Sequence, residues 1–274
     1  MEWKNLFRIL IFVSMFSNIT YAQSYKISYR MNYKPDSLSE EIQTKDMILL
    51  IKNKKSKFYS KDQYLNDSIV IEKEKAGANV HKKYDYHFMV IKDNREKKTN
   101  RFTVLLRDLY KTSGANPLFK WEISKVTKKI GDYNCQKAML TYSGRTWEAW
   151  FTNDIALQNG PYVFDGLPGL IVYMKDSGNN YEFSFTGIKK DETTDIRYLS
   201  AKPLEITAKQ WLKVQKDHYN DPYREMKTGN VKVRWQDKDG KEFVPDYKEL
   251  TKNEQQYIKK HNNPIELAGA VRYP

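Results

Sequence analysis

The chain has 274 residues, a formal net charge of +13, 40% apolar residues and 14% aromatic residues. That is enough apolar surface for one sizeable core and too much for a disordered chain. The positive charge does not mark a nucleic-acid binder: Lys52-Asn-Lys-Lys-Ser-Lys57 and Glu72-Lys-Glu-Lys75 show basic residues scattered and interleaved with acids. No nucleic-acid motif accompanies them, so a solvated basic surface, or one that meets an anionic membrane or an acidic glycan, is the expectation.

The N-terminus reads as a secretory signal peptide. Lys4 and Arg8 precede the apolar run from Ile9 to Phe16, and Thr20 and Ala22 stand at the small-residue positions before a cut. The apolar run is far shorter than the ~20 residues that a spanning helix needs. Cleavage after Ala22 leaves residues 23–274 as one domain and sends it to the periplasm or out of the cell. Gln23 in place of a cysteine argues against lipoprotein processing there. The single cysteine, Cys135, allows no internal disulfide, and its strand-like setting suits a buried small side chain.

From Tyr25 to Tyr33 the alternation of Tyr25, Ile27, Tyr29, Met31 and Tyr33 predicts a strand with one buried side. Lys45 to Tyr59 reads as a hairpin or a pair of short strands. Residues 60–80 are polar, and no element is assigned to them. Strand-like runs then recur at Tyr84–Ile91, Phe102–Tyr110, Leu118–Val126, Tyr133–Tyr142, Arg145–Thr152, Leu170–Lys175 and Tyr181–Ile188. Turn signals at Asp93-Asn94, Ser113-Gly114, Gly131-Asp132, Ser143-Gly144 and Asp176 to Asn180 separate them. Such short intervals favour antiparallel hairpins over crossover helices, in a meander of roughly eight to ten strands.

Two helices close the chain. Thr207 and Gln210 form a capping box that opens the first, which runs to about His218 before Asp221-Pro222. The second covers Asp246 to Lys260, with Tyr247, Leu250, Tyr257 and Ile258 as its stripe. Between them Asn230 to Phe243 looks like a hairpin turning at Asp239-Gly240. The expected fold is therefore mostly β: an antiparallel meander forming a curved sheet or half-barrel, with two C-terminal helices packed on it.

No motif announces a reaction. The four histidines lack metal-ligand spacing, and there is no phosphate loop, dinucleotide fingerprint or nucleophile elbow, so no metal, cofactor or catalytic residue is assigned. The stretch that stands out is Gly160-Pro-Tyr-Val-Phe-Asp-Gly-Leu-Pro-Gly-Leu-Ile171. It belongs to a long connection, Asn153 to Gly169, and long connections in compact domains are commonly functional. Gly160, Pro161, Gly166, Pro168 and Gly169 dictate one backbone path. On one reading they build a turn whose Leu167, Leu170 and Ile171 fill the core. On the other the loop lines a ligand-binding mouth, with Arg145, Trp150, Tyr162, Phe164 and Asp165 as candidate binding residues. Asp165 in its apolar setting either fixes the turn by accepting backbone N–H bonds or carries a shifted pKa.

Three runs carry a resemblance: Lys129 to Ala138, Gly144 to Thr152, and Gly160 to Ile171, with Gly166 to Ile171 spelling Gly-Leu-Pro-Gly-Leu-Ile. They resemble the GLPGLI family of exported Bacteroidetes proteins, and Asn262-Asn-Pro-Ile-Glu-Leu267 is similar to that family's ending. Ala156 departs from it, since members often carry a proline after the residue matching Ile155. The resemblance implies an exported β-rich protein and no known reaction. The leading expectation is a non-catalytic binding protein for a hydrophobic or lipid-like ligand. An accessory module of an outer-membrane transport or secretion complex comes second, and a hydrolase using Asp165 third.

Overall fold

The computed structural model describes residues 24–80, 86–191 and 195–274. The expected signal peptide lies outside them, as do the first residues of the expected strand Tyr84–Ile91. The N-terminal half runs β1 (Tyr25–Tyr33), β2 (Gln43–Lys52), β3 (Lys55–Ser60), α1 (Lys61–Lys75), β4 (Met89–Asp93), β5 (Lys98–Leu105) and β6 (Asp108–Ala115). A second meander follows: β7 (Glu122–Ile130), β8 (Tyr133–Tyr142), β9 (Arg145–Thr152), β10 (Leu170–Asp176) and β11 (Tyr181–Lys190). The chain ends with β12 (Leu204–Ile206), α2 (Ala208–Asn220), the short α3 (Arg224–Lys227) and α4 (Tyr247–Lys260).

Among the described residues the strands form one curved, open, twelve-stranded sheet in the order β12-β6-β5-β4-β3-β2-β1-β11-β10-β9-β8-β7. The mostly β expectation holds, and so do the C-terminal helices. The meander is split into two runs, β2–β6 and β7–β11, joined through β1, which pairs antiparallel with β2 on one side and β11 on the other. All pairings are antiparallel except β12 on β6.

Period-two alternation sends each strand's side chains to both faces. On one face Ile27, Tyr29, Met31, Met47, Leu49 and Phe58 join Trp147, Ala149, Phe151 and Phe183 in the main core, with the Gly160–Ile171 stretch laid over them. The other face carries a smaller core of Ile48, Leu50, Tyr59, Tyr86 and Met89. Each large apolar side chain so buried contributes roughly 1.5–3 kcal/mol.

Helix α1 covers the smaller core and was missed in the sequence. Its inward stripe is Gln63, Asp67 and Val70, while Leu65 and Ile69 are half exposed, so hydrophobic periodicity gives no signal. Lys57 on β3 explains the polar stripe: its ammonium meets Asp67 at 3.3 Å and the Tyr198 carbonyl at 2.8 Å. The readable signal was Ser60 with Gln63 three residues on, and the Ser60 side chain does accept from the Gln63 N–H.

Three boundaries also differ. The run Phe102–Tyr110 is not one strand but the β5–β6 hairpin, folded at Leu106, whose φ of 57° no glycine announces. Ser113-Gly114 is not a turn and lies inside β6. The strand expected from Leu118 begins at Glu122. The Asn230–Phe243 hairpin reduces to a single bridge, Gln236 to Glu242, around Gly240.

Candidate functional site

After β9 the chain crosses back over the main core before it enters β10. Glycine is required at both ends of this crossing. A Cβ on Gly160 would sit 2.6 Å from Ile171 Cδ1, and one on Gly169 would sit 2.0 Å from the Thr152 carbonyl oxygen. The Phe164 N–H closes a turn on the Pro161 carbonyl at 3.1 Å, with Tyr162 held at a φ of 56°. Ile171 N–H donates to the Asn159 carbonyl, and the Tyr29 hydroxyl donates to the Ile171 carbonyl at 2.8 Å. Val163, Leu167 and Leu170 are fully buried. The backbone-special residues thus build a plug on the sheet, and its apolar side chains complete the core.

Phe164 is the hub of this plug, with ring centroids 4.9 Å from Trp147, 5.5 Å from Phe119 and 5.7 Å from Tyr142. Asp165 meets Lys92, which also donates to the Val163 carbonyl at 3.1 Å. Burial pulls the Lys92 ammonium below its ordinary value, against the opposing pull of the Asp165 carboxylate. The ion-pair partner of Asp165 is thus a largely buried lysine.

The other candidates stand apart. Trp147 and Trp150 are three residues apart on β9 and so point to opposite faces. Trp150 therefore lies away from the plug; its indole donates to Glu148 at 2.9 Å, and the Lys128 ammonium sits 3.9 Å from its ring centroid. Arg145 is buried at the start of β9. It reaches Asp176 at 2.9 Å and donates to Asn263 Oδ1 and to the Pro264 and Ile265 carbonyls. This clamp fixes the C-terminal strap, residues 262–271, against the sheet, aided by the Leu267 and Ala268 N–H groups on the Ser143 carbonyl.

Of the five candidates, Tyr162 lines a cleft. A cleft of about 540 Å³ lies between β5, β6, α2 and the strap, lined by Phe88, Arg101, Tyr162, Trp211, Glu266 and Val271 among others. The parallel β12–β6 pairing brings α2 there, and the capping box expected at Thr207 and Gln210 starts the helix. Trp211 then packs on Tyr110 of β6, centroids 5.3 Å apart. Inside the cleft Arg101 donates to Glu266 through Nε and Nη2, at 3.0 and 2.7 Å. Burial, reinforced by the Glu266 charge, holds the Tyr162 phenol well above its ordinary pKa, so it stays a neutral hydroxyl. Sequence reasoning missed Arg101, Trp211 and Glu266 as a group; the only signals were Trp211 on the apolar side of α2 and Glu266 inside the Asn262–Leu267 run.

Among the described residues no group of three or more His, Cys, Asp or Glu side chains could hold a metal ion. None of their helices is long and apolar enough to cross a membrane.

No curated protein matches the chain. Among solved structures, PNGF-II in a P21 crystal form matches with a TM-score of 0.52 and 21% identity, over 70% of this chain and 33% of that one. A C2 form of PNGF-II gives a TM-score of 0.51 at the same identity, over 70% and 32%. A LolA superfamily protein from Nitrosomonas europaea aligns over 66% of this chain and 91% of its own, at 8% identity and a TM-score of 0.29, too low to support any statement. The PNGF-II likeness shows a shared fold, and the chain spans about a third of PNGF-II's length. A family model matches residues 31–207, the whole sheet from within β1 to β12, and by that match the chain belongs to the family described as N-glycanase peptide, N-terminal domain.

Proposed function

We propose that the protein is a non-catalytic binding protein of the cell envelope that takes a hydrophobic or lipid-like ligand in the cleft between β5, β6, α2 and the strap. The observation that carries this reading is the cleft itself. Its volume of about 540 Å³ falls within the range of small-molecule sites, and aromatic and aliphatic side chains dominate its walls. The Asp165–Lys92 pairing favours binding over hydrolysis. The family name describes one domain of a larger protein, which suits a module that binds while another part does chemistry. Export through a signal peptide cut after Ala22, a periplasmic or secreted location, and kinship with GLPGLI proteins are parts of the same proposal.

A second reading, an accessory interaction module of an outer-membrane complex, is favoured by the apolar residues flanking the Gln236–Glu242 bridge: Val233, Phe243 and Val244 are 42, 48 and 87% exposed.

Native mass spectrometry of residues 23–274, recovered from the periplasm of an outer-membrane-bearing bacterium, tests the proposal. The expected result is an added mass lost on denaturation, diminished by Trp211→Ala and untouched by Trp150→Ala, which alters the opposite face. A clean unliganded mass for the unaltered protein would turn attention to the interaction module.

A further inference from the structure

Resting on that reading of the cleft, we infer that Arg101 is a receptor for the head of the ligand, and that the ligand is an amphipathic anion: an apolar body ending in a carboxylate or phosphate. Arg101 projects from β5 into the same cleft as Trp211 and Tyr162. The β5 wall thus carries a positive charge, α2 and the plug bring the Trp211 and Tyr162 rings, and the strap brings Glu266.

The partner that Arg101 has in this structure is a poor match for it. A guanidinium and a carboxylate bind best fork to fork, through two parallel N–H···O bonds to two oxygens. Here Nε and Nη2 both converge on one oxygen, Glu266 Oε1, which also accepts the Tyr142 hydroxyl at 3.0 Å. Nη2 also reaches the Tyr142 oxygen at 3.2 Å. Both members of the pair are about a quarter exposed, so solvent can take over the Glu266 carboxylate when it swings aside.

That swing does not require the strap to detach. Arg145 and the Ser143 carbonyl hold the backbone on either side of Glu266. Glu266 therefore stands in for the ligand head and can yield to an anion that offers two oxygens. The neutral Tyr162 phenol beside this pair adds no repelling charge.

Isothermal titration with dodecanoate, dodecyl phosphate, dodecanol and acetate tests the inference. The full chain should bind dodecanoate or dodecyl phosphate at least about tenfold tighter than dodecanol, a difference of ~1.4 kcal/mol. The tighter of the two anions identifies the head. Arg101→Gln should keep dodecanol binding and lose the preference for the anion, and Glu266→Gln should tighten the anion by removing its competitor. Equal affinity for dodecanoate, dodecyl phosphate and dodecanol would overturn the head-group assignment while leaving the apolar cleft standing. Acetate binding as tightly as dodecanoate would overturn it too, since the apolar body would then count for nothing. Binding of none of the four would sink the cleft reading with it. Should Arg101→Gln fail to fold, the preference of the unaltered protein and the response of Glu266→Gln still decide.

Discussion

The Gly160–Ile171 plug and the C-terminal segment from α2 to the strap cover the same face of the sheet in opposite ways. The plug has Val163, Leu167 and Leu170 at 0% exposure, and its Gly160 and Gly169 leave no space for a methyl group. Along α2 and α4 only Tyr219 is buried, and Tyr257 is 58% exposed. The plug is core that happens to be a loop, and the C-terminal segment is a cover that touches the core at a few points. The cleft lies at the seam between them, where Tyr162 from one meets Trp211 and Glu266 from the other. One wall is densely packed and the other only partly buried.

The comparison breaks most sharply at Gly169. Gly169→Ala drives a Cβ into the Thr152 carbonyl, where backbone must move, and should destabilise the whole fold by about 4 kcal/mol or more. Urea unfolding checks this, and a loss below about 1 kcal/mol would mean that the plug can shift. Arg145 ties the C-terminal segment to the sheet. Arg145→Ala leaves Asp176 buried without its cation and should cost about 3 kcal/mol. Hydrogen exchange should then show the strap amides losing protection while those of β1, β2 and β3 keep theirs; uniform loss would mean that strap and sheet are one cooperative unit.

The smallest effect is a pH dependence in the cover. Burial lowers the His218 pKa below its ordinary 6.5, against the pull of Glu254 on α4. The unfolded segment then binds the proton more readily than the folded one, so the stability His218 supports is present above pH 6.5 and falls away as pH drops through the folded value. Protection factors of the α2 and α4 amides, corrected for the intrinsic slowing of exchange in acid, should fall as the pH drops, and His218→Gln should flatten that slope. An unchanged slope would place the titration elsewhere.

The sequence revealed most where burial followed a simple period. The strand β1 could be read from five alternating residues, and α2 from Thr207 and Gln210. Helix α1 was hidden because its inward stripe pairs with a buried lysine instead of apolar neighbours. The turn at Leu106 was hidden because a bulky residue adopts the conformation that glycine or asparagine usually signals. The plug's glycines and prolines announced a fixed path, but no local pattern says whether such a path faces solvent or core. The cleft was beyond reach for a different reason. Arg101, Tyr162, Trp211 and Glu266 come from four separate parts of the chain, and each alone looks like an ordinary strand, loop or helix residue.

The position of β1 has a consequence for the order in which the fold is made. Its pairing with β2 is closed by a nearby turn, and each of the two meanders can zip from its own hairpins. Its pairing with β11, from Tyr33 on Tyr181 to Tyr25 on Lys190, joins residues that the whole first meander and the second as far as β10 separate. The loop-closure entropy of that single seam outweighs that of any hairpin, because it grows with the length of chain enclosed. Among the sheet's pairings that seam encloses the longest stretch of chain, and until it closes, β1 and β11 each present an open edge.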